Sequence, residues 1–343
     1  MSAAVSWQAA TACEAYEVLH DHYALQPHTV ERLLRGSVNT VWRLRSPDGD
    51  FVLKRLGRRA SAGWLEFQGT ATARAHDQGV PVQPLVIAVD GRTTVDHNGT
   101  QWQLRPYVEG RPCTDGDASD LGKAARCLAT VHSVPLDGLS PAAENPVQDL
   151  EHWLTTDESG LEEVGRVASA AVPRALWEAV RPALADAYRR ARAELDWPLY
   201  QALPKTLTHG EFAGSNLVFD DRGDISCVLD WDAVDIRPRA YDLARAALFL
   251  GRKRRGGFTV HPNLAAGLLV EATRGRPAEP RELAAIIPIL ELYCVPTVRY
   301  VEQLAEHSPD TLQWYLGWTA EGASMVRATL AAAVAGASAR IAR

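Results

Sequence analysis

The sequence predicts an α+β protein of two lobes, a small antiparallel sheet followed by a larger, mainly helical part. Three observations predict it. Short runs rich in β-branched and aromatic residues, punctuated by turn residues, crowd the N-terminal third. After the break at Glu109-Gly110-Arg111-Pro112 the spacing of Leu, Val, Ala and Trp becomes 3.6-residue. And 343 residues exceed what one hydrophobic core usually serves. Residues 1–108 are therefore expected to form the first lobe, 109–112 a hinge, and 113–343 the second lobe.

Ala12, Ala15, Val18, Leu19 and Tyr23 recur at helical spacing and predict an opening helix over 9–25, ended before Pro27. Strands follow over 29–34, 39–45 and 51–56. The last two are joined by Ser46-Pro47-Asp48-Gly49-Asp50, where Pro presets φ and Gly accepts positive φ, a hairpin signal. A helix over 64–78 stops at Gly79 and Pro81, and strands over 85–89 and 101–108 flank the turn Asp90-Gly91-Arg92. Beyond the hinge, helices are expected over 117–132, 147–155, 161–167 and 174–194. A hairpin of 216–219 and 225–229 turns at Asp220-Asp221-Arg222-Gly223-Asp224; helices then run from 240, through 283–304, and from 311 to the Ala-rich end.

Composition narrows the function. A net charge of −6 gives no global positive field for a nucleic-acid backbone or an anionic membrane, so a small-molecule partner fits better. Hydrophobic residues at 46% and charged ones at 23% are ordinary for a globular chain with room for a large core. No run reaches the roughly 18 apolar residues of a membrane-spanning helix, and Met1 to Glu14 lack the pattern of a signal peptide. Five cysteines, odd in number and without a C-x-x-C pair, suggest free thiols in a reducing compartment. A cytoplasmic location is expected.

The densest chemistry lies at Thr208-His209-Gly210-Glu211-Phe212-Ala213-Gly214-Ser215-Asn216, followed by Leu229-Asp230-Trp231-Asp232. A loop carboxylate, an amide oxygen five positions later and carboxylates at the end of a hairpin suit phosphoryl transfer. One oxygen orients an attacking hydroxyl; the others hold a hard cation such as Mg2+.

These residues resemble the aminoglycoside phosphotransferase and choline kinase family, with its H-G-D-x-x-x-x-N loop and I-D-[FW]-[ED] strand. Arg237-Pro238-Arg239-Ala240-Tyr241-Asp242-Leu243-Ala244 is similar to the family's G-P-R-x-x-D-L-A segment, in the right order. The resemblance covers roughly residues 28 to 250. It implies a two-lobed, protein-kinase-like fold, ATP and Mg2+ as cofactors, and transfer of the γ-phosphoryl group to a hydroxyl of a small molecule. It further implies that Asn216 and Asp230 coordinate Mg2+, with Asp232 adding a metal or solvent contact, and that Glu211 and His209 are the candidate catalytic residues. Of these two, His209 is expected only to support the loop, and Asp242 to accept its hydrogen bonds. Glu211 departs from the family pattern, where aspartate is usual, and places the carboxylate one methylene further out. The loop is either set back to suit it or belongs to a weakened enzyme.

By the same resemblance, Gly36, Ser37, Asn39 and Thr40 form the loop over the nucleotide phosphates. Lys54, on one strand face with Val52, pairs with the α- and β-phosphates, and Glu66 on the next helix holds it. Arg105 and Tyr107 belong to the connector whose backbone binds adenine. The acceptor is expected against the C-terminal helices near Glu211. Trp153, Trp177, Tyr188, Trp197, Tyr293, Tyr300, Trp314, Tyr315 and Trp318 lie there, read mostly as core, and Glu291, Glu302 and Glu306 would attract a cationic substrate. The acceptor is then an amino sugar, an amino alcohol or another hydroxylated metabolite. A kinase of the same fold acting on Ser or Thr of a peptide, and a catalytically silent nucleotide-binding protein, are the alternatives.

Overall fold

The computed structural model describes residues 12–33, 39–140, 149–307 and 309–343. Strand alternation sorts the N-terminal residues onto two faces. After α1 (Ala12–Tyr23), strands β1 (Thr29–Leu33), β2 (Thr40–Ser46), β3 (Gly49–Arg55), β4 (Val95–His97) and β5 (Thr100–Pro106) form an antiparallel sheet in the order β1-β2-β3-β5-β4. Register places Trp42 opposite Leu53 and Leu53 opposite Leu104. With Leu44, Val95 and Trp102 they pack against Ala15, Val18 and Leu19 of α1 as a small core. Period 2 then puts Val52, Lys54, Gln103 and Arg105 together on the other face.

Helix α2 (Ala62–Asp77), capped by the Ser61 hydroxyl, belongs by sequence to the first lobe, yet Phe67, Ala71 and Ala75 join the larger core instead. The expected strand over 85–89 does not form. The Asp90-Gly91-Arg92 turn closes back on Ala88, whose N–H bonds the Arg92 carbonyl, so only Val86 reaches β5, at 2.8 Å to the Leu104 carbonyl. Ile87 and Val89 stay exposed, and β4 is the edge strand instead.

In the second lobe β6 (Arg111–Pro112) is followed by α3 (Ala118–His132), α4 (Asp149–Thr155), α5 (Ser159–Ala171), α6 (Arg174–Glu194) and α7 (Trp197–Ala202). Next come β7 (Lys205–Thr208), β8 (Leu217–Phe219), β9 (Ile225–Val228) and β10 (Asp235–Pro238). The helices α8 (Arg239–Gly251), α9 (Pro262–Ala272), α10 (Pro280–Tyr293), α11 (Val298–His307) and α12 (Pro309–Ile341) complete the chain. β7 pairs with β10, and β6-β8-β9 form a second small sheet. Half of the expected hinge is thus anchored: Arg111 and Pro112 pair with Phe219 and Val218. Gly110 makes this approach feasible, at φ +155° and with an added Cβ only 2.4 Å from the Phe219 carbonyl oxygen.

All 13 residues of α8 are buried, so its charged side chains need partners inside the core. The helix expected over 283–304 is broken at residues 294–297, where Pro296 has no N–H for the ladder. By composition and length Pro280–Glu306 is apolar enough to cross a membrane, contrary to the sequence expectation, but 67% of its apolar window is buried within the protein and α10 packs against α6, α8 and α12 as a core helix. All five cysteines are free.

Candidate active site

The loop between β7 and β8 is suspended from α8. Asp242 accepts hydrogen bonds from the His209 N–H at 2.7 Å and the Gly210 N–H at 2.8 Å, and lies 3.3 Å from His132 Nε2. Burial alone would raise its pKa. The His132 hydrogen bond, the neighbouring His132 and His209 rings and the Gly210 N–H outweigh it and hold the carboxyl below the usual range. Gly210 itself sits at φ +81°, where an added Cβ would lie 2.3 Å from the Ala233 carbonyl oxygen. The loop is therefore pressed against the turn that carries Asp230 and Asp232.

Asp242→Asn should cost about 3 kcal/mol, because one buried loop N–H loses its acceptor. The pH dependence gives a second readout. A carboxylate whose folded pKa is depressed contributes stability above its unfolded value of roughly 4, and that contribution fades as pH falls through the folded pKa. Denaturation midpoints of wild type and variant should converge in acid; a gap that stays constant from neutral pH down would refute this assignment.

His209 is wholly buried and has no ring nitrogen left for proton transfer: Nε2 lies 2.9 Å from the Leu229 carbonyl, and Nδ1 accepts the Glu211 N–H at 3.1 Å. This network assigns the Nε2–H tautomer. Burial lowers its pKa, so the ring stays neutral. Its grouping with Glu211 as catalytic is accordingly corrected to one of positioning.

Glu211 lines a cavity of about 390 Å³ together with Asn216, Asp230 and Asp232. Its side chain is 39% exposed, and one carboxylate oxygen lies 3.5 Å from Arg245 Nη2. Burial pushes its pKa up; Arg245 opposes this, while Asp230 and Asp232 add to it. Asn216 donates through Nδ2 to the Glu211 carbonyl at 2.9 Å, which commits its nitrogen and leaves its side-chain oxygen for another partner.

Asp230 adopts the left-handed conformation at φ +60°, uncommon for residues other than glycine though aspartate and asparagine tolerate it best. Lys54 Nζ lies 2.8 Å from Asp230 and 2.7 Å from Asp232. Burial would lower the lysine's pKa, yet the two carboxylates more than compensate and raise it. For Asp230 the burial penalty is likewise outweighed by Lys54, and its pKa falls. Asp232 also accepts from Asn39 Nδ2 at 2.7 Å and Gln68 Nε2 at 3.3 Å.

Glu66 does not hold Lys54. It is exposed on α2, and the lysine's partners are the two aspartates. The α2 residue turned to the site is the buried Gln68, which donates to the Trp231 carbonyl at 3.2 Å and accepts from Gln103 at 2.8 Å, tying sheet, helix and aspartate turn together. Asn39 is similarly committed, bridging Asp232 and the Gly57 N–H. Thr40 opens β2 opposite Arg55. Gly36 and Ser37 lie outside the described residues. In the connector, the Tyr107 N–H already bonds the Asp50 carbonyl at 2.9 Å and its ring lies under the Arg43 guanidinium, so this N–H is not free for adenine. The Arg105 guanidinium is engaged by the Gln83 carbonyl.

The donor set suits Mg2+. Two carboxylates and a free amide oxygen are hard ligands, and a lysine ammonium already bridging the carboxylates shows that the pair accommodates a cation. No group of three or more Asp, Glu, His or Cys capable of enclosing a metal occurs among the described residues.

On the acceptor side Tyr293, Tyr300 and Tyr315 line the cavity, whereas Trp153, Trp177 and Tyr188 are core. The acidic residues expected to draw a cation are elsewhere: Glu291 is buried between Arg190 and Arg327, and Glu302 and Glu306 are exposed on α11 and line no part of the cavity. Sequence reasoning missed Arg245, although a lone arginine in the Ala- and Leu-rich stretch of α8 was a visible anomaly. It missed Gln68 too, although Trp64, Phe67, Gln68, Ala71 and Ala75 mark one helical stripe.

The chain is similar to several known proteins. Homoserine kinase of Gluconobacter oxydans (strain 621H) is 25% identical over 272 residues, 74% of this chain and 75% of that protein. Among solved structures, a microcompartment-associated aminopropanol kinase superposes with a TM-score of 0.65 at 17% identity, covering 94% of this chain and 99% of its own. A spectinomycin phosphotransferase in complex with ADP and spectinomycin does so at 0.63 and 14%, covering 92% and 98%. The profile of the phosphotransferase enzyme family (APH) matches residues 29–284, and the chain belongs to that family.

Proposed function

We propose that the protein transfers the γ-phosphoryl group of Mg2+-bound ATP to a hydroxyl of a small molecule seated in the cavity beside Glu211. The observation that carries this is the convergence of Lys54, Asn216, Asp230, Asp232 and Glu211 where the sheet lobe meets the cavity. Bound Mg2+ would neutralise charge on the triphosphate. Asp230 and Asp232, with the oxygen of Asn216, would hold it, and Lys54 would move from the aspartates to the α- and β-phosphates. Glu211 orients the acceptor hydroxyl and receives its proton as the oxygen bonds to the γ-phosphorus and ADP departs. The named relatives are kinases or phosphotransferases of homoserine, aminopropanol and spectinomycin, which supports a small acceptor. The silent alternative has against it a lysine, an asparagine and two aspartates arranged for a metal and a triphosphate.

The test is Mg2+-dependent ADP formation stimulated by an acceptor. Lys54→Ala should raise the KM for ATP about 10- to 100-fold, the worth of one or two charge-assisted hydrogen bonds, while leaving the acceptor KM unchanged. Identical acceptor-independent hydrolysis by wild type and variant across a broad acceptor panel would remove the basis for the reading.

A further inference from the structure

We propose that the acceptor carries a carboxylate a short chain away from its reactive hydroxyl, and that Arg245 receives that carboxylate. The inference rests on the phosphotransferase reading and names its substrate class.

Arg245 is 5% exposed on the fully buried α8, yet it lines the cavity. Nη1 donates to the Tyr241 hydroxyl at 2.8 Å. Nη2 reaches Glu211 only at 3.5 Å, the limit of hydrogen bonding, and Nε is buried with no partner among the described residues. An unsatisfied edge on a buried guanidinium is costly, and native proteins rarely leave one without a purpose.

Pairing with Glu211 does not account for it. Two arginines that neutralise buried glutamates elsewhere in this chain close both forks: Arg239 meets Glu282 at 2.9 and 2.7 Å, and Arg327 meets Glu291 at 3.1 and 2.7 Å. Arg239 sits on the same helix as Arg245, so the difference is not one of helix environment. Arg245 is also held in place by aromatic rings, with Tyr293, Tyr241 and Phe249 centroids at 4.5, 5.5 and 5.8 Å. Its Nε–Nη2 edge is a fixed fork, the geometry that matches a planar carboxylate.

The charge of the cavity points the same way. Lys54 offsets one of the two charges of Asp230 and Asp232, and with Glu211, Arg58 and Arg245 the acidic and basic groups at the cavity balance. A polycationic acceptor finds no acidic wall there. A monoanion finds a cation close to the group that orients its hydroxyl. Hydrogen-bond lengths added to the separation of Arg245 and Glu211 leave at most roughly 9 Å between the acceptor's carboxylate and hydroxyl oxygens. A hydroxy acid or hydroxy amino acid of a few carbons meets this limit.

The experiment uses the full chain with Mg2+ and ATP and measures acceptor-dependent ADP formation on matched sets: L-serine, L-threonine, L-homoserine and 4-hydroxybutyrate, the amide of each, ethanolamine and 1-amino-2-propanol, and spectinomycin. At least one acid should exceed its amide tenfold or more in kcat/KM. Arg245→Gln should raise the KM for that acid about 10- to 100-fold and level it with its amide, with the KM for ATP unmoved; Arg245→Lys should recover part of the preference. Equal use of acid and amide, or preference for the alcohols or spectinomycin, overturns the inference and leaves the phosphotransferase reading standing. Measured at a pH above the acid limb set by Glu211, a variant that lowers kcat equally for acid and amide, or raises the KM for ATP, overturns it as well, since Arg245 would then serve the phosphates or the placement of Glu211. No stimulation by any compound in the panel overturns both. If the Arg245 variants do not fold, the matched sets on wild type decide alone.

Discussion

Asp230→Asn is expected to cut Mg2+-dependent turnover about a thousandfold without unfolding the protein. A metal that neutralises transition-state charge contributes several kcal/mol, and each 1.4 kcal/mol is a factor of about ten in rate. Asparagine is the informative replacement. Asp230 sits at φ +60°, a conformation that costs most residues about 1–2 kcal/mol but that asparagine tolerates, so the backbone is kept while the charge goes. Lys54 retains Asp232 at 2.7 Å and is not left as an unpaired buried cation. Asp232→Asn is a poorer probe, because that carboxylate also accepts from Asn39 and Gln68 and its loss disturbs the contact between lobes. Turnover is to be measured across a Mg2+ titration, alongside thermal unfolding. An Asp230→Asn enzyme within tenfold of wild type, with the same Mg2+ dependence, would show that another group holds the metal.

What the sequence could and could not reveal follows from where the partners of each residue lie. His209, Gly210, Glu211 and Asn216 are close in the chain, and the backbone of one loop suffices to bring them together. Lys54 was legible because strand alternation fixes its face once Leu53 is assigned to the small core. Glu66 was not, because choosing between Glu66 and Gln68 requires the rotational phase of α2, and that phase is set by packing of Phe67, Ala71 and Ala75 into the larger core. The apolar stripe that carries Gln68 is a better guide to the face of α2 turned to the site than charge complementarity with Lys54. The strand over 85–89 was lost to a local turn that took the Ala88 N–H. Glu291 is not available to attract a cationic substrate because its partners, Arg190 and Arg327, lie on α6 and α12, far away in sequence. Arg245 shows the same limit from the other side. An arginine among the alanines and leucines of α8 announces a buried charge, but only the fold shows that its pairing with Glu211 is incomplete.

Glu211 carries the second large effect. Glu211→Gln removes the group that orients the acceptor hydroxyl and takes its proton, and about 100- to 10,000-fold in kcat should be lost. Glu211→Asp, which brings the residue to the family's usual aspartate, is expected to lose activity too. The loop cannot advance to make up the missing methylene: Gly210 already lies against the Ala233 carbonyl, and Asp242 pins the two N–H groups ahead of Glu211. The carboxylate would withdraw by about one C–C bond, roughly 1.5 Å, and a displacement of that size costs on the order of 100-fold. An aspartate variant more active than wild type would show instead that the loop is built for the shorter side chain. The pH profile supplies an independent check. The carboxylate must be ionised to accept a proton, and burial raises its pKa, so the acid limb of kcat/KM should lie above the ordinary glutamate range. Arg245 opposes that rise, so Arg245→Gln should move the limb to still higher pH. A limb that stays put in the Arg245 variant and disappears in Glu211→Gln would mean that the two groups are not in electrostatic contact in the working enzyme.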